Sequence, residues 1–224
     1  MTDKAAPCEM RQEKAVGSGR PWSAKCMERI PSKPERTKIY SVKLETLSDL
    51  YIHQLQNLHS AKSQFKAALP KIICAASDDD LKTALKNQIE VTKGQLERLS
   101  LLLKRYGARR ETLKCKGMKS LLEECEIMLG VMATGAVRDL GIISTCQRVE
   151  HYEIAGFGTA RAYAETLGKA EAPALLAESL DEEAAADDEL TSIAILLQSQ
   201  YYDEPDEVPA GEWKKPATRE KAMV

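Results

Sequence analysis

The chain has 224 residues, and its 32 lysines and arginines nearly balance its 34 aspartates and glutamates. This length allows one or two domains with a proper core. The balanced charge gives no electrostatic argument for binding nucleic acid or an anionic membrane. No apolar window is long enough to span a bilayer, and the start, MTDKAAPCEMRQEK, lacks the apolar region of a secretory signal. We therefore expect a cytoplasmic protein that binds neither nucleic acid nor membranes.

The cysteines and histidines argue against disulfides and zinc. The six cysteines lie far apart without a C-x-x-C pair, at positions 8, 26, 74, 115, 125 and 146. This spacing favours reduced thiols in a cytosolic protein. The three histidines do not cluster with the cysteines, as a zinc site would require.

Two tails flank one structured region. Residues 1–40 combine prolines, glycines and many charges without an apolar period, which predicts a flexible N-terminal tail. Residues 203–224 have a similar composition and predict a flexible C-terminal tail, in which Trp213 is the exceptional residue. We therefore place a single helical domain at residues 41–202.

The first half of this domain predicts three helices. Apolar residues follow a spacing of three and four from Leu44 to Leu69, as in an amphipathic helix. The acids at 78–80 predict the N-terminus of a second helix, which Gly107 ends. A shorter helix is predicted at about 118–132.

The second half predicts two more long helices. Thr134 is the predicted cap of a helix that ends near Gly168, and Pro173 lies in the first turn of a last helix that reaches about Gln200. Four long helices and one short helix with short links favour an all-α, antiparallel helical bundle.

Charged residues interrupt the apolar stripes of these helices. At ~100° per residue, one face of the long helix after Thr134 and one face of the last helix each carry a pair of closely spaced carboxylates, Glu150 with Glu153 and Glu183 with Asp187. The two faces consist of Asp139, Ile143, Cys146, Glu150, Glu153 and Phe157, and of Leu176, Leu180, Glu183, Asp187 and Leu190. In the first helix, Lys62 occupies the seam formed by Tyr51, Leu55, Leu58, Phe65 and Leu69.

Acid-rich stretches are more often solvated faces than sites. The segment ESLDEEAAADDEL has this character, but leucines flank Glu183 and Asp187 at helical spacing and favour the seam for both. His151 lies ~100° from the seam, so we expect it, like Tyr152, to lie behind the candidate ligands or at the surface. Carboxylates that face one another in a bundle are what a dinuclear iron or manganese site requires.

Three segments resemble the YciE/YciF family of bacterial ferritin-like proteins: VEHYEIAGFGT, LLAESLDEEAAADDELTSIA and IEVTKGQLERL. The resemblance covers about residues 44–197. It implies a ferritin-like antiparallel four-helix bundle with an additional short helix, a link to stress responses, homodimers and a di-metal centre resembling that of rubrerythrins. The metal ligands that it implies are Gln95, Glu150, Glu153, Glu183 and Asp187. It implies no particular activity.

The sequence departs from this family at two expected ligands. The family's A-E-K-Q-L is AKSQF here, which places Lys62 at the glutamate position, and its Glu-Thr is Val91-Thr92. We interpret the site as degenerate, with no metal or weakly bound iron or manganese. Lys62 is expected to hydrogen-bond to Glu150 and Glu183 in place of a metal ion, and the remaining acids to protonate.

Two other functions remain open. The remaining acids could hold metal weakly in an oxidase or a peroxide-reactive enzyme, with Tyr152 and Cys146 as redox neighbours. Alternatively, the bundle is a dimeric scaffold whose tails recruit protein partners. The homodimer would use either the first helix or the short helix, around Leu121, Leu122, Ile127 and Met128.

Overall fold

A computed structural model of the chain describes residues 44–108, 114–131 and 135–201. Both predicted tails, Trp213 and the outermost residues of the predicted domain lie outside these ranges. The described residues form helices and contain no strand, which confirms the all-α prediction. The helices are α1 (Leu47–Ala75), α2 (Asp79–Arg105), α3 (Lys116–Val131), α4 (Ala136–Thr166) and α5 (Ala172–Gln198), and a 3-10 turn follows at Ser199–Tyr201.

The helix ends follow local capping chemistry. Asp78 caps α2 as predicted, because its side chain accepts a hydrogen bond from the backbone N–H of Leu81 at 2.8 Å. Gly107 and Gly168 adopt positive φ angles of 66° and 62° just beyond α2 and α4. Glycine reaches this left-handed conformation without a steric cost, so both predicted helix stops are confirmed.

Three helix ends differ from the sequence-based expectation. The helix α1 begins at Leu47, after a capping box formed by Thr46 and Asp49. It also continues through the exposed Pro70, because Ile72 and the residues around it still bury apolar surface in the core. Thr134, the predicted cap of α4, lies outside the described residues, and the N-cap is Gly135, which supplies no side-chain hydrogen bond.

The long helices form an antiparallel bundle. Gln54 donates to the backbone oxygen of Gly156, whereas at the far end of α1 the carboxylate of Asp139 accepts from the backbone N–H groups of Ser77 and Asp78 at 2.7 and 3.0 Å. The helices α1 and α4 therefore run in opposite directions. Asp139, predicted on the same face as Glu150 and Glu153, is buried like them and ties α4 to the turn between α1 and α2.

The other neighbours are also linked by side chains. His59 and Ser100 join α1 to α2, and Arg98 joins α2 to α5 through Ser179 at 3.0 Å. The helix pair α4 and α5 is joined by Gln147 and Thr191 at 2.8 Å. The short α3 packs on α1 and α4 and closes one side of the bundle.

The core consists of two apolar clusters that a polar layer separates. One cluster contains Phe65, Val149 and Leu190, and the other contains Leu58 and Phe157. Lys62, Glu150, Glu153 and Glu183 lie between them along the helices and are also buried. The bundle therefore buries charged groups in the middle of its length.

At Gly156 α1 and α4 approach each other closely, because a Cβ atom there would lie 2.6 Å from Leu58 Cδ2. We expect Gly156→Ala to lower the free energy of unfolding by about 1–3 kcal/mol through overpacking. Chemical denaturation measures the change. Gly158 is the matched control in the same helix, since a Cβ atom there meets nothing within 4 Å. Gly158→Ala should be neutral or stabilising, and equal losses in both variants would contradict the close-packing argument.

Candidate functional site

Three of the long helices contribute charged side chains to one buried cluster. Lys62 comes from α1, Glu150 and Glu153 from α4, and Glu183 from α5, and each is at most 1% exposed. One carboxylate oxygen from each of the three glutamates lies within 4.8 Å of the others. Such a grouping of hard oxygen ligands is the kind that holds a metal ion in helical bundles.

The ammonium of Lys62 lies among these carboxylates. Its Nζ atom is 2.9 Å from Glu153 Oε2 and 2.8 Å from Glu183 Oε1, and all three side chains are completely buried. The expected hydrogen bond from Lys62 to Glu150 is therefore wrong, and Glu153 takes that place. Side chains lean toward the N-terminus of their own helix. Because α4 is antiparallel to α1, Lys62 leans toward Glu153 and away from Glu150.

Glu150 has a different partner, the amide of Gln88 on α2, whose Nε2 atom lies 3.3 and 3.4 Å from the two carboxylate oxygens. Gln88 and Thr92 are buried polar residues that sequence reasoning did not assign to the site. The sequence does indicate that both residues are buried, because they fall on the apolar stripe of α2 with Leu81, Leu85 and Leu99.

Gln95, the predicted amide ligand, is fully buried beside Glu183. Its amide favours the ionised form of Glu183, but its geometry falls short of a hydrogen bond, and neither of its polar atoms has a partner. A buried polar group without a partner is costly. The polar layer is therefore incompletely satisfied on the α2 side.

The charges in the cluster shift one another's pKa values. Burial alone would lower the pKa of Lys62, but the charges of Glu153 and Glu183 raise it, so the ammonium stays charged. Burial would raise the pKa of Glu183, yet the Lys62 charge lowers it below its ordinary value. Lys62 and Glu183 are therefore the ionised pair at neutral pH.

The other two glutamates retain protons. Burial raises the pKa of Glu153 to about 8, with Lys62 opposing the shift. Burial and the neighbouring Glu183 raise the pKa of Glu150 well above its usual range. As carboxylates, Glu153 Oε1 and Glu183 Oε2 lack hydrogen-bond partners. A proton on Glu150 or Glu153 supplies a donor to Glu183, which a second carboxylate cannot do.

The remaining predicted residues lie outside this cluster. Asp187 Oδ2 is 3.8 Å from His151 Nε2, and the His151 side chain is 68% exposed. Asp187 is not among the three grouped carboxylates. The hydroxyl of Tyr152 accepts from Asn57 Nδ2 at 2.9 Å and lies 3.0 Å from Cys115 Sγ. Tyr152 therefore links α1 to the start of α3, and burial raises its pKa to about 12.

Among the described residues, Cys74, Cys115, Cys125 and Cys146 are free thiols, whereas Cys8 and Cys26 lie outside these ranges. Burial raises the pKa of Cys146 well above its usual range, so this thiol is protonated at neutral pH.

Within the described ranges, no helix has the length and apolar character needed to cross a bilayer.

The fold and the site together define a class of protein: an all-α helical bundle with a lysine and three carboxylates buried between its long helices. Residues 46–202 match a family described as a domain of unknown function, DUF892. The chain belongs to this family, and the resemblance noted from its sequence is confirmed.

Two bacterial proteins resemble this chain in sequence and structure. It is 38% identical to the protein YciF of Escherichia coli strain K12 over 153 residues, which is 68% of this chain and 92% of YciF. The crystal structure of the E. coli stress protein YciF superposes with a TM-score of 0.67 at 37% identity, covering 70% of this chain and 99% of that structure. YcfI of Rhodopseudomonas palustris, described as a candidate structural protein, superposes with a TM-score of 0.66 at 36% identity, covering 69% and 98%.

The raised pKa of Glu153 predicts how stability depends on pH. Between about pH 4.5 and 8 the native protein keeps a proton on Glu153 that the unfolded chain releases. The proton on Glu153 therefore makes the free energy of unfolding fall as pH rises through this window, contributing up to about 1.4 kcal/mol per pH unit. The proton on Glu150 adds a decrease of the same sign. Denaturant titrations at pH 5, 6.5 and 8 measure this slope.

Glu153→Gln replaces the protonated acid with a neutral amide, so its slope should be clearly shallower than that of the wild type. The exposed Glu189→Gln is the control and should keep the wild-type slope. If Glu153→Gln and Glu189→Gln both match the wild type, Glu153 does not hold the proton.

Proposed function

We propose that the protein is a stress-associated, ferritin-like structural or binding module whose buried carboxylate site is neutralised by Lys62 and holds little or no metal. The single observation that carries this proposal is the Lys62 ammonium, at 2.8–2.9 Å from two of the three grouped carboxylates. The description of YciF as a stress protein and that of YcfI as a candidate structural protein support the same assignment.

Electrostatics support the exclusion of a divalent cation. At about 4 Å and an effective dielectric constant of about 20, an ammonium repels a divalent ion by on the order of 8 kcal/mol. The ammonium already receives charge compensation from Glu183 and a contact from Glu153. A metal ion would have to displace it from a fully buried position.

The donor set also fits a dinuclear centre poorly. Two-metal sites in helical bundles use carboxylates from all four helices, with histidines on two of them. Here α1 supplies Lys62, and α2 supplies Gln95 and Thr92 at the corresponding level. With Lys62 in place, the residues do not suit two metal ions, and we derive no reaction step through them.

A di-iron or di-manganese oxidase, or a peroxide-reactive enzyme, is the second candidate. The observation that favours it is the set of unpaired groups, namely both polar atoms of Gln95 and one oxygen each of Glu153, Glu183 and Asp187. A metal ion would satisfy several of them. The redox neighbours proposed for such an enzyme are Tyr152 and Cys146.

We further propose a cytoplasmic homodimer, with protein partners recruited through the tails, and no binding of nucleic acid or membranes. Leu121 and Leu122 pack against the core of their own chain, whereas Ile127 is 67% exposed on α3. Within the predicted dimer face, Ile127 is therefore the residue most available to a second copy. Loss of association after deletion of residues 1–40 or 203–224 would assign the recruitment of partners to a tail.

Metal loading tests the proposed function directly. After anaerobic exposure to ferrous iron, or separately to manganese, the wild type should retain no stoichiometric metal in elemental analysis. Lys62→Glu replaces the ammonium with a further carboxylate and should retain up to about two ions per chain. Metal binding should also raise the melting temperature of this variant.

Lys66→Glu is the control for added charge on α1, since Lys66 is partly exposed and lies outside the cluster. It should remain empty like the wild type. If Lys62→Glu folds poorly, Lys62→Gln removes the ammonium without adding an acid and should bind metal more tightly than the wild type. About two ions in the wild type would overturn the proposal in favour of the enzyme.

Sedimentation velocity tests the dimer. Ile127→Glu introduces a charge at the proposed face and should shift the protein toward monomer at micromolar concentration. Leu101→Glu, at a residue that is 48% exposed on α2, is the control and should leave association unchanged. Equal dissociation in both variants, or none in either, would exclude Ile127 from the dimer contact.

A further inference from the structure

A cavity of about 190 Å³ opens between α2 and α5 beside the buried cluster. Small and aliphatic side chains form its walls: Ala84, Leu85, Val91, Ala185, Ala186 and Leu190. A cavity of about 150 Å³ in a protein core accommodates a benzene molecule. This space is therefore large enough for about six non-hydrogen atoms.

Polar residues line both the buried part and the exposed part of this cavity. Gln88 and Glu150 are 6% and 1% exposed, and they form its buried end. Glu182 and the exposed Asn87 and Glu189 also line it. Arg98 pairs with Glu182 through its guanidinium, which leaves Glu189 as the exposed acid of the lining.

The cavity lining has one sign of charge. Its three acids are Glu150, which keeps its proton, Glu182, which pairs with Arg98, and the exposed Glu189, and none of its lining residues is a lysine, arginine or histidine. Lys62 bonds to Glu153 and Glu183 and is not part of the lining. Acidic walls attract a cation and repel a carboxylate. The buried amide and carboxyl oxygens accept hydrogen bonds from a donor that reaches them.

We propose that this cavity binds a small primary alkylammonium ion, with its alkyl chain against the aliphatic walls and its ammonium among the oxygen atoms of Gln88, Glu150 and Glu189. This inference rests on the proposed function, since a metal ion held by Glu150 would compete for the same oxygen atoms. The ammonium of the ligand would contact carboxyl oxygens in this cavity, as the Lys62 ammonium contacts those of Glu153 and Glu183 inside the bundle.

The walls and the charges set separate requirements for the ligand. An aliphatic chain of about four carbons removes apolar surface from water against Leu85, Val91 and Leu190, at roughly 25 cal/mol per Å². The volume of the cavity limits the buried part of the chain to about this length. The acidic lining favours the ammonium over a neutral hydroxyl of the same length, because each missing charge-assisted hydrogen bond weakens binding.

Titration of the full-length protein with n-butylammonium chloride, followed by NMR shifts of backbone amides and of the Gln88 side-chain amide, tests the proposal. We expect saturable shifts confined to the cavity. The neutral isostere 1-butanol should bind at least about tenfold more weakly, and sodium butyrate should cause no saturable shift. Equal binding of 1-butanol and n-butylammonium, or no saturable binding of either, would overturn the proposal.

Two variants localise the site. Val91→Phe fills the cavity and should abolish the shifts, whereas Val137→Phe, at a residue 49% exposed on α4, is the matched control and should bind like the wild type. Glu189→Lys changes only an exposed acid, so it tests the charge requirement even if Val91→Phe folds poorly. It should weaken n-butylammonium at least about tenfold and leave 1-butanol unchanged, and wild-type affinity in Glu189→Lys would contradict the charge argument.

Elemental analysis of the same samples separates this inference from the proposed function. Stoichiometric metal in the wild type would refute the proposed function, whether or not n-butylammonium binds. A metal-free protein that does not bind n-butylammonium would refute only the cavity assignment.

Discussion

The buried ion pair between Lys62 and Glu183 is the constraint on which the centre of the bundle depends. Three carboxylates cannot all remain ionised in a core that offers one ammonium, because desolvation and mutual repulsion both disfavour the charged forms. The cluster therefore keeps one ionised pair and retains protons on Glu150 and Glu153. Its net charge stays near zero without an external cation, and this self-neutralisation is the basis for assigning a structural or binding role.

The helix packing determines which carboxylates the ammonium reaches. Gly156 allows α1 and α4 to approach closely, and Asp139 fixes the opposite end of the same helix pair to the α1–α2 turn. With the register set at both ends, Lys62 leans toward Glu153. The polar layer also separates two apolar clusters, so a shift of one helix turn would place charged groups against aliphatic side chains. We infer that the polar layer helps to specify the register.

The two departures from the family pattern have complementary physical effects. Lys62 supplies a positive charge inside the bundle, at 2.8–2.9 Å from two of the carboxylates. Val91 leaves an aliphatic wall at the outer side of α2, where the cavity opens toward Glu150. One substitution therefore changes the electrostatics of the site, and the other changes its accessibility. Together they are the basis for proposing a metal-poor site and a cavity that binds a small molecule.

The sequence by itself determined the helices, most of their ends and the charged residues of the polar layer, because apolar spacing, capping residues and positive-φ glycines are local signals. It also placed Lys62 and the glutamates on buried faces, since a charge within an apolar stripe can be recognised from the helical spacing of the sequence. Only the tertiary structure decided that Lys62 pairs with Glu153 instead of Glu150, that Gln88 meets Glu150, and that Asp139 caps a turn. These contacts depend on the relative register of helices distant in sequence and on the direction in which side chains lean. Neither can be deduced from the helical periodicity of a single segment.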